Sequence, residues 1–190
     1  MEQLKTYRLM VDEKGDNGVM AVSFVDSPAT QEEWLMFKDA KLKFATDEEK
    51  REVLGVIMLA DVPIYRNNPP YGEHYIIFLK EDIRAMVRKF FKDKVVDKVT
   101  LQHLTGTDGV WMVESFITDK TQGIGSPFNV PDGSWIGRFY VENDEVWEGV
   151  KKGDFKGFSI EAMLSYGPEV NDPLVAEMQE IYRMLNKLLK

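Results

Sequence analysis

The chain has 190 residues, of which 44% are apolar and 29% charged, with a net charge of −8 and no cysteine. That length supports one compact domain with its own core and leaves room for a terminal appendage. The acidic balance argues against nucleic acid and anionic membrane surfaces as partners, and the missing thiols exclude disulfides, zinc–thiolate sites and cysteine nucleophiles.

The first residues, Met-Glu-Gln-Leu-Lys-Thr-Tyr-Arg, contain no apolar signal region, and no window approaches a membrane span. A reducing cytoplasm is the expected compartment. Residues 4–10 and 18–25 read as the two strands of a hairpin around Asp12-Glu13-Lys14-Gly15-Asp16-Asn17-Gly18. Asp26-Ser27-Pro28 reads as a capped turn leading to the apolar knot Trp34-Leu35-Met36-Phe37. Residues 51–60 form an almost continuous apolar run, the pattern of a strand buried on both faces. Asn67-Asn68-Pro69-Pro70-Tyr71-Gly72 marks a loop, and a short strand follows over 75–79.

Over 80–93, Ile83, Met86, Val87, Phe90 and Phe91 recur at helical spacing and predict one core-facing stripe. Glu81 and Asp82 in the first turn and lysines in the last suit the helix dipole. Residues 98–118 read as a second hairpin turning at Gly106-Thr107-Asp108-Gly109. Residues 119–133, with three glycines and two prolines, predict a long loop. A strand over 134–141 follows, and Asn143 or Asp144 caps a short helix. After Pro173, the spacing of Leu174, Met178, Ile181, Leu185 and Leu188 predicts an amphipathic C-terminal helix. Its two-heptad seam fits packing on its own domain and self-association equally. The division expected is a domain over 1–168 and a tail over 169–190.

The stretch from Trp147 to Ala162 reads as a short helix, a glycine turn and a strand that carries a serine. On that strand Gly157, Ser159, Glu161 and Met163 share one face, while Phe158, Ile160, Ala162 and Leu164 form an apolar face for the core. A serine hydroxyl becomes a useful nucleophile only beside a base. The chain has two histidines, His74 and His103, so a three-histidine metal site is impossible and histidine-dependent catalysis must use one of these two. No metal or organic cofactor is implied. His103, inside the predicted strand Thr100-Leu101-Gln102-His103-Leu104, is the better-held base, and His74 at a loop junction reads as exposed. A third group must orient the base. A hairpin centred on Thr107-Asp108 puts His103 near Met112 and makes Glu114 the first choice, with Asp119 and Glu161 as the others. A one-residue slip would reverse that placement.

The segment Trp147-x-x-Val150-Lys151-x-Gly153-x-x-Lys156-Gly157-Phe158-Ser159-Ile160-Glu161 resembles the signature of the XkdF-like phage serine proteases. These are relatives of the caudoviral prohead (capsid maturation) proteases. Phe24-Val25-Asp26-Ser27-Pro28-Ala29, the run from Gly55 to Arg66, Gln102-His103, Val113-Glu114-Ser115-Phe116-Ile117 and Gly133-Ser134-Trp135 match in the same order. The resemblance implies an α+β fold like herpesvirus assemblin, a small antiparallel or mixed β-barrel flanked by helices. It implies a serine endopeptidase that cleaves scaffold and major capsid protein segments inside the assembling prohead, in the host bacterial cytoplasm. Ser159 would be the nucleophile, His103 the general base and Glu114 the third member. The tail helix would serve homo-oligomerisation or docking in the prohead core. Two departures stand out: Ala162 replaces a frequent glycine, and no arginine-rich segment follows the serine to build an oxyanion hole. Backbone amides near Gly123, Gly125 or Gly133 are the candidate substitutes. The alternative is a catalytically silent scaffold or core component with the same fold. A third class is an unrelated host domain in which Ser159 merely packs.

Overall fold

A computed structural model describes residues 4–28, 44–171, 175–177, 179–181 and 184. In chain order the elements are β1 (Thr6–Met10), β2 (Gly18–Val25), β3 (Ala45–Asp47), β4 (Glu52–Met58), β5 (Ile64–Asn68), β6 (Gly72–Ile77) and α1 (Lys80–Lys92). There follow β7 (Val99–Leu101), β8 (Thr105–Thr107), β9 (Val110–Ile117), β10 (Trp135–Val141), α2 (Asp144–Lys152), β11 (Gly157–Met163) and β12 (Ser165–Glu169). The strands form three four-stranded sheets, in the orders β12-β1-β6-β5, β3-β4-β10-β9 and β11-β2-β7-β8.

The α+β class holds. Among the described residues no sheet closes on itself, so the barrel is not formed: each sheet ends in two edge strands. Alternating patterns fit open and closed sheets alike, because closure depends only on whether the first and last strands pair.

Two of the sheets, β3-β4-β10-β9 and β11-β2-β7-β8, are joined by aromatic packing. Phe24, Phe139 and Phe158 come from β2, β10 and β11, and their rings meet at centroid distances of 4.8–5.6 Å. Edge-to-face and tilted contacts of that kind add to the burial of three large rings. Gly55 on β4 makes the approach possible, since a Cβ there would come within 2.8 Å of the Phe158 ring. The apolar run of β4 is buried as its sequence predicts. Helix α1 lays Ile83, Met86 and Phe90 onto the core, and Phe90 meets Trp135 at 5.1 Å. Phe91, expected on that stripe, is 46% exposed. No helix among the described residues is long and apolar enough to cross a membrane.

Three expectations about pairing change. β1 and β2 are strands, yet neither pairs with the other: β1 lies between β12 and β6, and β2 between β11 and β7. The turn between them, held by Asn17 Oδ1 accepting from the Asp12 amide, therefore crosses between sheets. Asn67 and Asn68 end β5, which forms a hairpin with β6 around Pro69-Pro70. Residues 98–118 do not form one hairpin. β7 turns back into the short β8, and β9 pairs with β10 instead.

The tail positions that are described are helical. Val175 and Gln179 are buried, the Gln179 side-chain amide donating to the Thr6 hydroxyl, while Ile181 and Met184 are exposed. Trp34 to Phe37, Pro173, Leu174, Met178, Leu185 and Leu188 lie outside the described residues.

Candidate active site

The serine strand is prepared by the helix before it. Asn143 caps α2, its side-chain oxygen accepting from the amides of Glu145 and Val146 at 3.0 and 3.1 Å. Gly153 ends the helix in the left-handed region, φ +79°, which a residue with a Cβ adopts at a cost. The chain then enters β11, antiparallel to β2, with Gly157 opposite Val25 and Ser159 opposite Ser23. Phe158 is buried, and Ile160 and Ala162 pack partly against the same core, as the predicted apolar face requires. On the other face, Gly157 lies beneath Pro28, so the early Asp-Ser-Pro turn and the Gly-Phe-Ser strand meet directly. Ser159 is half-buried on that face, whereas Ser23 is fully buried. Among the described residues no group hydrogen-bonds to the Ser159 hydroxyl.

His103 is not within a strand. It sits in the tight turn Gln102-His103-Leu104 between β7 and β8, closed by the Leu104 amide donating to the Leu101 carbonyl at 3.0 Å. Gln102 and His103 both have left-handed φ, +53° and +57°, which is uncommon for residues other than glycine. Bonds to β2 hold the turn in that state. The Gln102 amide donates to the Phe24 carbonyl at 2.9 Å, and the Gln102 side chain accepts from the Asp26 amide at 3.2 Å. The His103 amide donates to the Ser23 hydroxyl at 2.9 Å. Two adjacent unfavourable φ values persist only where the surroundings over-determine them.

The imidazole turns towards β11. His103 Nδ1 lies 3.4 Å from Glu161 Oε1, and the Thr100 hydroxyl donates to the same carboxylate oxygen. Thr100, Ser23 and Ser159 form one cross-strand row over β7, β2 and β11. Glu161 stands two residues beyond Ser159, opposite Ala21, whose small side chain leaves the carboxylate room to reach across β2. His103 and Glu161 side chains are 42% and 30% exposed, so the pair is in contact with solvent.

The other carboxylates are engaged elsewhere. Glu114 lies on β9 in a different sheet and accepts from Arg138 Nε at 2.6 Å; Met112 pairs with Phe139, not with His103. Asp119 caps the 3-10 turn of Lys120–Gln122. The structure brings Glu161 to His103 and does not bring Glu114 there. His74 is buried, against the expectation of exposure. Its Nδ1 donates to the Gly72 carbonyl at 2.8 Å, its Nε2 accepts from the Tyr166 hydroxyl at 3.0 Å, and Tyr7, Tyr71 and Tyr166 surround it. The amides of Gly123 and Gly133 donate to the carbonyls of Lys120 and Thr118, so those two are not free oxyanion donors. Among the described residues no group of three His, Asp or Glu side chains is placed to hold a metal ion.

Sequence reasoning missed Ser23, Thr100 and Gln102. The available signal was Ser23 itself, a lone hydroxyl in the apolar run Val19-Met20-Ala21-Val22-Ser23-Phe24-Val25.

The profile of the family described as "Putative phage serine protease XkdF" matches residues 39–166, about two thirds of the chain. Over 150 residues the chain is 29% identical to the phage-like element PBSX protein XkdF of Bacillus subtilis (strain 168). That alignment covers 73% of this chain and 50% of the relative, so the chain spans about half the length of the curated protein it matches. No solved structure matches the chain.

Proposed function

Since the chain belongs to the XkdF phage serine protease family, we propose that it is a serine endopeptidase working through Ser159, His103 and Glu161. The observation that carries this reading is the 3.4 Å approach of His103 Nδ1 to Glu161, on the sheet face that also bears Ser159. A carboxylate at Nδ1 leaves Nε2 to serve the serine, which is the division of labour a serine–histidine–acid site needs.

The chemistry then follows in order. Ser159 Oγ attacks the scissile carbonyl while His103 takes its proton, and Glu161 stabilises the imidazolium that results. The same proton passes to the leaving amine as the tetrahedral intermediate collapses to an acyl-enzyme. Water, deprotonated by His103, releases the second product. The Thr100 hydroxyl keeps the Glu161 carboxylate turned to the ring. Glu161 takes the role for which Glu114 was the first choice, because Glu114 is held by Arg138. An assemblin-like barrel is not required: one open sheet supplies all three groups.

The substrates proposed are scaffold and major capsid protein segments in an assembling phage head within the host cytoplasm. Co-expression of the chain, or of Ser159→Ala, with the matching scaffold and capsid proteins tests the reading. Cleaved fragments should appear with the wild type and vanish with the variant. Identical patterns would leave the chain as a silent component of the assembly.

A further inference from the structure

Ser23 is the only polar residue in the run from Val19 to Val25, and it is completely buried. A peptide cannot reach its hydroxyl, so it is no second nucleophile. A buried hydroxyl needs partners, and this one has two: it accepts the His103 amide at 2.9 Å and donates to the Thr100 carbonyl at 3.4 Å. A valine or alanine would suit the strand's apolar surroundings without that demand. The bond to His103 is the consequence that an apolar residue could not supply.

We propose that Ser23 is a positioning residue for His103. It fixes the backbone of a non-glycine residue at φ +57°, and that backbone aims the ring across β2 at Glu161. The left-handed conformation is unfavourable for any residue with a Cβ, so His103 keeps it only while its amide is bound. Gln102 has its own two bonds, to Phe24 in β2 and to Asp26 just beyond it. Loss of the Ser23 hydroxyl therefore leaves the turn attached and frees its second residue. The functional half of the claim rests on His103 being the base; the structural half does not.

The test uses the full chain and two variants, Ser23→Ala and the near-isosteric Ser23→Cys, with two measurements. Amide hydrogen exchange reports the His103 backbone, and labelling of Ser159 by a fluorophosphonate probe reports the nucleophile. In Ser23→Ala the His103 amide should exchange about tenfold faster or more, with the amides of the β2–β11 ladder unchanged. Labelling should slow by about tenfold in its limiting rate, not in half-saturation by the probe, and its pH profile should change. Ser23→Cys, which keeps a weak acceptor, should fall between, and it decides the matter if Ser23→Ala does not fold. A His103 amide as protected in the variants as in the wild type overturns the proposal, as does undiminished labelling. If the wild type is not labelled at all, the protease reading fails, and the exchange data alone still decide whether Ser23 holds His103.

Discussion

His103 Nδ1 and Glu161 Oε1 lie 3.4 Å apart although β2 runs between β11, which carries Glu161, and β7, which leads into the turn that carries His103. The contact exists because the β7–β8 turn leans over β2 from one side and Glu161 reaches over Ala21 from the other. Glu161→Gln should therefore lower fluorophosphonate labelling of Ser159 by about a hundredfold or more, as loss of a triad carboxylate does. Glu114→Gln should leave labelling within about twofold of the wild type, its partner being Arg138. Equal losses in the two variants would return Glu114 to the site.

The two histidines should separate cleanly. His103→Ala should abolish labelling and shift the urea midpoint little, since the side chain is 42% exposed. His74→Phe should remove the partner of the Gly72 carbonyl and of the Tyr166 hydroxyl at a part-buried site, at a cost of about 0.5–1.5 kcal/mol. A stability loss in the first variant and none in the second would reverse these assignments.

Gly157 is required by what lies over it. A Cβ at that position would come 2.3 Å from Pro28 Cγ and 3.2 Å from its Cβ, and the proline ring has little freedom to move. Gly157→Ala should destabilise the fold by about 1–3 kcal/mol in urea titration and reduce labelling through displacement of β11. Gly106 is the control, because nothing lies within 4 Å of a Cβ there. Gly106→Ala should stay within about 0.5 kcal/mol of the wild type.

Asp119 gives a pH dependence outside the site. The Thr121 hydroxyl, chiefly, and the amides of Gln122 and Thr121 hold its carboxyl below the usual range, with partial burial opposing them. A carboxyl lowered on folding contributes stability that is present above its unfolded value, about 3.9, and is lost as pH falls through the lower folded value. Exchange of the Thr121 and Gln122 amides, corrected for intrinsic rates, should be flat near neutrality and rise below about pH 4. Asp119→Asn should remove that rise, and it should leave Ser159 labelling unchanged. Slower labelling in Asp119→Asn would contradict the placement of Asp119 as a turn cap alone.

The local elements were legible. The stripe of Ile83, Met86 and Phe90 marks α1, Asn143 and Gly153 bound α2, and the alternation about Phe158 and Ile160 marks β11 with Ser159 on its open face. Those signals repeat at 3.6 or 2 residues and are read within one element. Which strand lies beside which was not legible. β1 and β2 flank a good turn and still part company, because their buried faces belong to different sheets. His103 looked like part of a strand since nothing in Gln102-His103 announces two left-handed residues; the bonds that impose them come from Phe24 and Ser23, far away in the sequence.

By itself, then, the sequence determined the type of chemistry on offer: serines, two histidines and several carboxylates, with no thiol and no three-histidine metal site. The tertiary structure alone decided which carboxylate meets the histidine. That choice depends on strand order and register, and a register change of one residue turns a side chain to the opposite face. No local pattern near Glu114 or Glu161 encodes it; the pairing of β11 with β2, and of β2 with β7, does.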